Sequence, residues 1–224
     1  MIKNISNLGD TALYCDFGDE VNKDINSQVI KYFRSLKERN IEGIINLTPS
    51  YNKLIISFDL NKTNFREIKK LVENENANEI EMNSVKIIEI PVCCEDTFAL
   101  DIERLEINLS LKREKIYENF FNKEYFCYMT GFIAGMPFLG DLEENMRLKR
   151  LETPRVKVPK GSIGLTEQFA NIYTFESPGG WNIIGNTPIK IFDSSKEENP
   201  NLINPGDTVN FKKISLKEYN NFNE

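Results

Sequence analysis

The chain has 224 residues, 40% of them hydrophobic and 28% charged, and no histidine; Ser–His–Asp and Cys–His catalysis, zincin motifs and Cys2His2 fingers cannot be built from this chain alone. Its 28 Lys and Arg against 34 Asp and Glu leave a formal charge of −6, which disfavours the basic footprint that nucleic acids need. The longest uncharged stretch, Tyr125 to Gly140, is shorter than the ~20 apolar residues of a membrane span.

Ile2–Leu8 and Ala12–Phe17 read as short strands split by a Gly9-Asp10 turn. Val21, Ile25, Val29, Ile30, Phe33 and Leu36 recur at helical spacing and predict a helix over Val21 to Leu36. Ile44–Leu47 and Leu54–Phe58 flank a turn from Pro49 to Lys53 as a hairpin. Phe65 to Val72 predicts a second helix, N-capped by Thr63 or Asn64, and Lys86–Val92 the next strand. The sum is an α+β sandwich with a mostly antiparallel sheet and two helices, ferredoxin-like in type.

After Pro91 the pattern changes. Leu100 to Leu109 and Lys112 to Phe121 predict two short helices, with Ser110 as a cap. Beyond Tyr125 come short apolar runs broken by Gly and Pro: Ile163–Leu165, Asn171–Phe175, Trp181–Ile184, Ile189–Phe192 and Val209–Lys212. Many short strands with closely spaced turns predict a β-barrel or sandwich. The boundary is expected near residues 83–92, dividing the chain into domains 1–88 and 89–224, and Ser194 to Asn201 is the most mobile loop by composition.

Cys15, Cys93, Cys94 and Cys127 show no metal or CxxC spacing and sit in apolar runs, so reduced buried thiols are expected and no metal site. The N-terminus lacks the apolar core of a signal peptide, and a cytoplasmic protein is expected, free of membrane and nucleic acid. Gly180 to Thr187 comes within one residue of a phosphate-binding loop, but Asn186 stands where the lysine belongs and the run reads as a strand. Ser162 reads as a turn residue, having neither the elbow glycine nor a histidine.

Arg147, Lys149, Arg150, Arg155, Lys157 and Lys160 face only Glu152 in an otherwise acidic chain. Either this is a solvated loop or an anion site in which Arg155, between Pro154 and Val156, grips a carboxylate or phosphate bidentately. Gly131-Phe132-Ile-Ala-Gly135-Met136-Pro137-Phe138-Leu139-Gly140 and Ser177-Pro178-Gly179-Gly180-Trp181 are over-specified for simple turns, because their glycines let backbone approach a ligand.

At these residues the chain resembles a known family, the B subunits of bacterial 5-oxoprolinase, also called allophanate hydrolase subunit 1, which includes the Kip-type inhibitor of a sporulation histidine kinase. Gly9-Asp10 with Ala12, Pro49 to Asp59 and Ile90-Pro91-Val92 follow the family's order. The most specific matches are Gly131-Phe132 with Gly135 and Leu139-Gly140, Thr153-Pro154-Arg155, Val158 to Ser162, and Ser177 to Trp181 with Ile184-Gly185 and Thr187. Where the family usually carries a histidine, alignment on Tyr125 places Phe120; Ala134-Gly135-Met136 and Glu167 to Thr174 also depart from its pattern.

The resemblance implies an N-terminal α/β domain and a C-terminal cyclophilin-like β-barrel. It implies a protein that is not an enzyme by itself and that joins a C subunit (allophanate hydrolase subunit 2 family) and an A subunit. That complex uses ATP to cleave 5-oxo-L-proline to L-glutamate. In that setting Arg155 would hold the substrate carboxylate or a phosphate. Gly131, Phe132 and Gly135 would shape the pocket, Ser177, Gly179 and Gly180 would present backbone donors near Trp181, and Lys160 is a further anion-binding candidate. No catalytic acid or base is assigned. The family's other member supplies the alternative, a regulatory protein that binds and inhibits a sensor histidine kinase.

Overall fold

Alternating apolar residues build the first sheet. The computed structural model describes residues 2–75 and 86–222, which fall into two compact units, Met1–Val85 and Lys86–Glu224. The first unit runs β1 (Asn4–Asn7), β2 (Ala12–Asp16), α1 (Lys23–Glu38), β3 (Ile44–Pro49), β4 (Lys53–Phe58) and α2 (Phe65–Glu73). Its four strands pair antiparallel in the order β1-β2-β4-β3. Leu13 and Cys15 of β2 and Leu54, Ile56 and Phe58 of β4 form one buried face, covered by Val29 and Leu36 of α1 and Ile68 and Val72 of α2. Both helices start on asparagine caps: Asn22 accepts from the Ile25 N–H, and Asn64 from those of Arg66 and Glu67.

The ferredoxin-like expectation is not met in this unit. That arrangement interleaves its strands and helices as β-α-β-β-α-β. Here β1 and β2 pair directly, Asn7 opposite Leu13, before any helix intervenes. The reason is local: Gly9 takes a positive φ of 63° and closes the turn.

The second unit contains β5 (Ile87–Cys93), α3 (Ile102–Leu109), α4 (Arg113–Phe121), β6 (Glu124–Thr130), β7 (Pro137–Gly140), β8 (Arg155–Val158), β9 (Ser162–Thr166), β10 (Phe169–Ile172), β11 (Ser177–Gly179), β12 (Asn182–Asn186), β13 (Thr208–Ile214) and α5 (Leu216–Asn221). Seven strands close into a barrel in the order β10-β7-β6-β13-β5-β12-β9, with β9 pairing back onto β10. The chain is thus a mixed α/β protein with a closed seven-stranded barrel. β5 lies parallel to β13 along its whole length, from Ile87 opposite Thr208 to Cys93 opposite Ile214. It therefore belongs whole to the barrel, and the units divide at 85/86 rather than 88/89; residues 83–85 of the expected boundary region lie outside the described residues. Ile90, Val92, Leu139, Ile163, Leu165, Ile172, Ile184 and Val209 form the core with Leu105 of α3 and Ile116 and Phe120 of α4.

Ser110 is a cap as expected: it ends α3 in the left-handed region at φ 54°. Two local expectations change. Ile189–Phe192 forms no strand, only a single bridge from Phe192 to Asn201. β8 and β11, unanticipated as a pair, form a two-stranded ribbon separate from the barrel sheet.

All four cysteines are free and buried. Burial pushes the Cys15 and Cys94 thiols up to about 12 and raises Cys127 as well. Since only the thiolate is nucleophilic, the native chain at pH 8 should release less than about one equivalent of thionitrobenzoate from Ellman's reagent within minutes. Unfolding in urea should expose all 4 thiols. Rapid native reaction at any cysteine would overturn this reading of the core.

Candidate functional site

The ribbon packs through Val158 on a small buried cluster separate from the barrel core. Gly179 of β11 stands opposite Arg155 of β8, and Ser177 opposite Val158. The alternation of a strand turns Ser177 and Gly179 to one face and the exposed Pro178 to the other. Beneath that inner face lies Tyr173, 1% exposed and packed in a small cluster with Val158, Met136 and Ile183. The approach is close, since a Cβ on Gly179 would fall 2.2 Å from the Tyr173 hydroxyl. Burial raises the Tyr173 phenol above its ordinary range. Hydrogen bonds from Asn171 and the Trp181 backbone oppose this, as do the charges of Arg150 and Arg155.

Arg155 is clamped at one edge. Its Nη2 donates to Asp101 Oδ1 at 2.6 Å, while Asp101 Oδ2 accepts from the Ile183 N–H at 2.6 Å. The Asp101 N–H in turn donates to the Ile183 carbonyl at 2.9 Å, so Asp101 is braced against β12 by backbone and side chain together. Asp101 also precedes α3 at the N-cap position, yet makes no capping hydrogen bond there. Losing such a cap costs about 1 kcal/mol. The helix gives up that stabilisation and the carboxylate goes to Arg155 instead. Two polar atoms nearby, Arg155 Nη1 and Ser177 Oγ, are buried without a hydrogen-bond partner. A buried donor without a partner costs about 1–3 kcal/mol.

Around the clamp sit further cations and amides. A Cβ on Gly180 would meet Arg150 Nη2 at 3.1 Å, and the Gly180 carbonyl accepts from the Leu151 N–H at 2.7 Å. Asn182, fully buried, accepts from Arg104 Nε at 2.9 Å and donates to the carbonyls of Leu165 and Lys149. Asn171 accepts from the Gly164 N–H at 3.1 Å. Among the described residues neither Arg104 nor Arg150 has a carboxylate in ion-pair contact, whereas Arg155 is paired with Asp101 and Lys157 with Glu176.

The other expected site residues fall at varied distances from this chemistry. Trp181 packs edge-on against Phe138 at 5.5 Å and follows Gly180 directly. Gly131 donates its N–H to the Met136 carbonyl, closing the loop between β6 and β7. Gly135 holds φ at 69° against Phe192, where a Cβ would come within 2.5 Å of the ring. That loop reaches the cluster through Met136, whereas Phe132 points out, 71% exposed at φ 69°. Lys160 is exposed, and the fold uses its carbonyl, which accepts from Asn186 Nδ2 at 2.9 Å. Gly180 to Thr187 contains the buried strand β12 and so makes no phosphate loop. Asp101 and Asn171 are the additions that the sequence did not reveal: an acid in the first turn of the helix expected from Leu100 to Leu109, and an asparagine in a strand, carry no signal of a distant partner.

Among the described residues no group of three or more His, Cys, Asp or Glu is placed to hold a metal ion, and no helix is long and apolar enough to cross a membrane. A cavity of about 560 Å³ beside α4, lined by Cys94, Asp96, Arg113 and Tyr117, lies away from the ribbon.

A family model described as carboxyltransferase domain, subdomain C and D, matches residues 3–203. The chain belongs to that family. Within it, the chain is 33% identical over 233 residues to a Bacillus subtilis (strain 168) protein named as the B subunit of 5-oxoprolinase, covering 98% of this chain and 96% of that one. The solved structure of TTHA0988 is similar with a TM-score of 0.81 and 26% identity over 92% of this chain, which spans only 40% of that longer chain. The urea amidolyase of K. lactis, 19% identical over 96% of this chain and 15% of its own, shares the fold with a TM-score of 0.77. The ribbon and barrel are therefore a carboxyltransferase-domain architecture that occurs both as a separate chain and within longer ones.

Proposed function

We propose that this carboxyltransferase-domain chain is the B-type member of an ATP-dependent 5-oxoprolinase, cleaving 5-oxo-L-proline to L-glutamate together with A-type and C-type partners in the cytoplasm. The observation that carries the reading is the similarity, along nearly the full length of both chains, to the 5-oxoprolinase B subunit of Bacillus subtilis. The barrel is read as cyclophilin-like. A lactam is a poor electrophile, and the energy of ATP hydrolysis supplies its activation. This chain contributes the cradle: buried donors of Arg155 and Ser177 to hold the ring's polar atoms, glycine backbone in close approach, and a ribbon that keeps water out. ATP is assigned to the complex, since the near-match to a nucleotide loop in this chain is the buried strand β12.

The alternative, a regulator docked on a sensor histidine kinase, comes from the family's Kip-type member. Of the departures from the family pattern, Phe120 is fully buried in the barrel core and so does not bear on the ribbon site.

Mixing the chain with its A-type and C-type partners should give ATP hydrolysis that depends on 5-oxo-L-proline. Arg155→Ala should lower it by about tenfold or more, the worth of one hydrogen bond from a charged donor. No substrate-dependent hydrolysis by the wild-type complex, or capture of a sensor kinase in place of those two partners, would overturn the reading.

A further inference from the structure

The two arginines of the ribbon site are electrically unequal. Arg155 is paired with Asp101, and the pair is neutral as a unit. What remains available on it is a single buried donor, Arg155 Nη1, with Ser177 Oγ unpartnered on the facing strand. Arg150, an exposed residue, adjoins Gly180 with no carboxylate in ion-pair contact among the described residues, and its charge reaches the same Tyr173. A neutral donor pair suits a carbonyl oxygen, whereas an uncompensated guanidinium suits a carboxylate.

We propose that Asp101 is a positioning residue that turns Arg155 toward a neutral amide oxygen, and that Arg150 is the specificity-determining cation that takes the ligand's carboxylate. The site is then built for a small cyclic amide that carries an acid group. This inference rests on the 5-oxoprolinase reading for its substrate and goes beyond it in dividing the roles. Asp101 acts through Arg155: its second oxygen is fixed on the Ile183 N–H, its backbone is paired with the same residue, and its capping function at α3 is given up.

The single tryptophan, Trp181, adjoins Gly180 and supplies the probe. Its fluorescence is titrated with 5-oxo-L-proline and with 2-pyrrolidinone, the same ring without the carboxylate, on the full chain and on the complex. Wild type should bind 5-oxo-L-proline about tenfold more tightly or better, one charge-assisted contact's worth. Arg150→Gln should bring the two affinities within roughly threefold of each other. Asp101→Asn keeps an acceptor for the Ile183 N–H but removes the charge, and should weaken both probes alike by about tenfold; Asp101→Glu should recover part of that loss. In turnover, Arg150→Gln should raise KM for 5-oxo-L-proline with kcat little changed, whereas Asp101→Asn should raise KM and lower kcat as well. Circular dichroism of each variant separates these effects from misfolding.

An Arg150→Gln variant that keeps the wild-type preference for 5-oxo-L-proline overturns the division of roles, and turnover by the wild-type complex would then leave the enzyme reading standing. Selective binding without turnover supports the division and overturns the enzyme reading. Binding of neither probe by chain or complex overturns both.

Discussion

Replacing Phe120 by alanine should lower the unfolding free energy by about 3–5 kcal/mol, among the largest effects open to a single substitution in a barrel core. Phe120 is fully buried and stacks on Phe211 of β13 at 4.7 Å, with Phe121 at 5.1 Å and Tyr125 at 5.4 Å. The Tyr125 hydroxyl donates to the Phe120 carbonyl at 3.0 Å, tying the end of α4 to β6. Truncation removes the ring that joins those contacts and leaves a cavity with rigid walls, so little of the loss is recovered by relaxation. Phe120→His should destabilise too, because an imidazole in this apolar setting buries a polar ring nitrogen at about 1–3 kcal/mol. Burial disfavours the imidazolium, so that histidine would titrate below its unfolded value of about 6.5. The unfolded chain then binds the extra proton, and the variant's deficit grows as pH falls through about 6.5. Urea unfolding at pH 8 and pH 5.5 measures both statements. A Phe120→His complex with raised turnover, or a Phe120→Ala chain as stable as wild type, would put this position in the site and not in the core.

The elements that the sequence revealed are those whose side chains declare their surroundings. The apolar stripe from Ile25 to Leu36 marks α1 and the cap Asn64 marks α2, because helical period and capping are local properties, although a helix start at Val21 misses the Asn22 cap that lies inside it. β9 likewise stands out through Ile163 and Leu165, and β13 through the alternation of buried Val209 and Phe211. The ribbon was illegible for a physical reason. β8 and β11 hold only 4 and 3 residues, and Pro178 interrupts the second. Such short strands are stabilised by what lies beneath them, here Tyr173 and Ile183, and not by their own pattern. The loop glycines and Arg155 could be picked out as unusual, but their chemistry could not. Whether Arg155 is a free fork or a clamped one depends on Asp101, 54 positions earlier in the chain, which by itself reads as an ordinary acid in the first turn of a helix. In the first unit the two strands split by the Gly9-Asp10 turn are legible, and it is the ferredoxin-like expectation that overlooks their direct pairing ahead of the first helix.

Gly179→Ala should reduce 5-oxo-L-proline-dependent ATP hydrolysis by about 100-fold, the scale of a 1 Å misplacement of a binding group. Backbone freedom is not what Gly179 provides. The constraint is space, for the added methyl would lie 2.2 Å from the Tyr173 hydroxyl, 2.8 Å from Cζ and 2.9 Å from Cε1. Tyr173 cannot retreat: it is 1% exposed, and its ring is already close to Gly164, where a Cβ would come within 3.3 Å of Cε2. The ribbon must lift instead. Lifting β11 carries β8 with it, because Gly179 and Arg155 are partners in the ladder, and the 2.6 Å contact from Arg155 to Asp101 opens. Overpacking of this kind costs about 1–3 kcal/mol, small enough for the chain to stay folded while the site is lost. A double substitution isolates the cause. Tyr173→Leu shortens the side chain below Gly179, so in Gly179→Ala/Tyr173→Leu the two stability losses should sum to less than their separate values, a coupling expected of neighbours and absent between distant sites. Strict additivity, or wild-type turnover by Gly179→Ala, would show that the ribbon is not seated on Tyr173 as described.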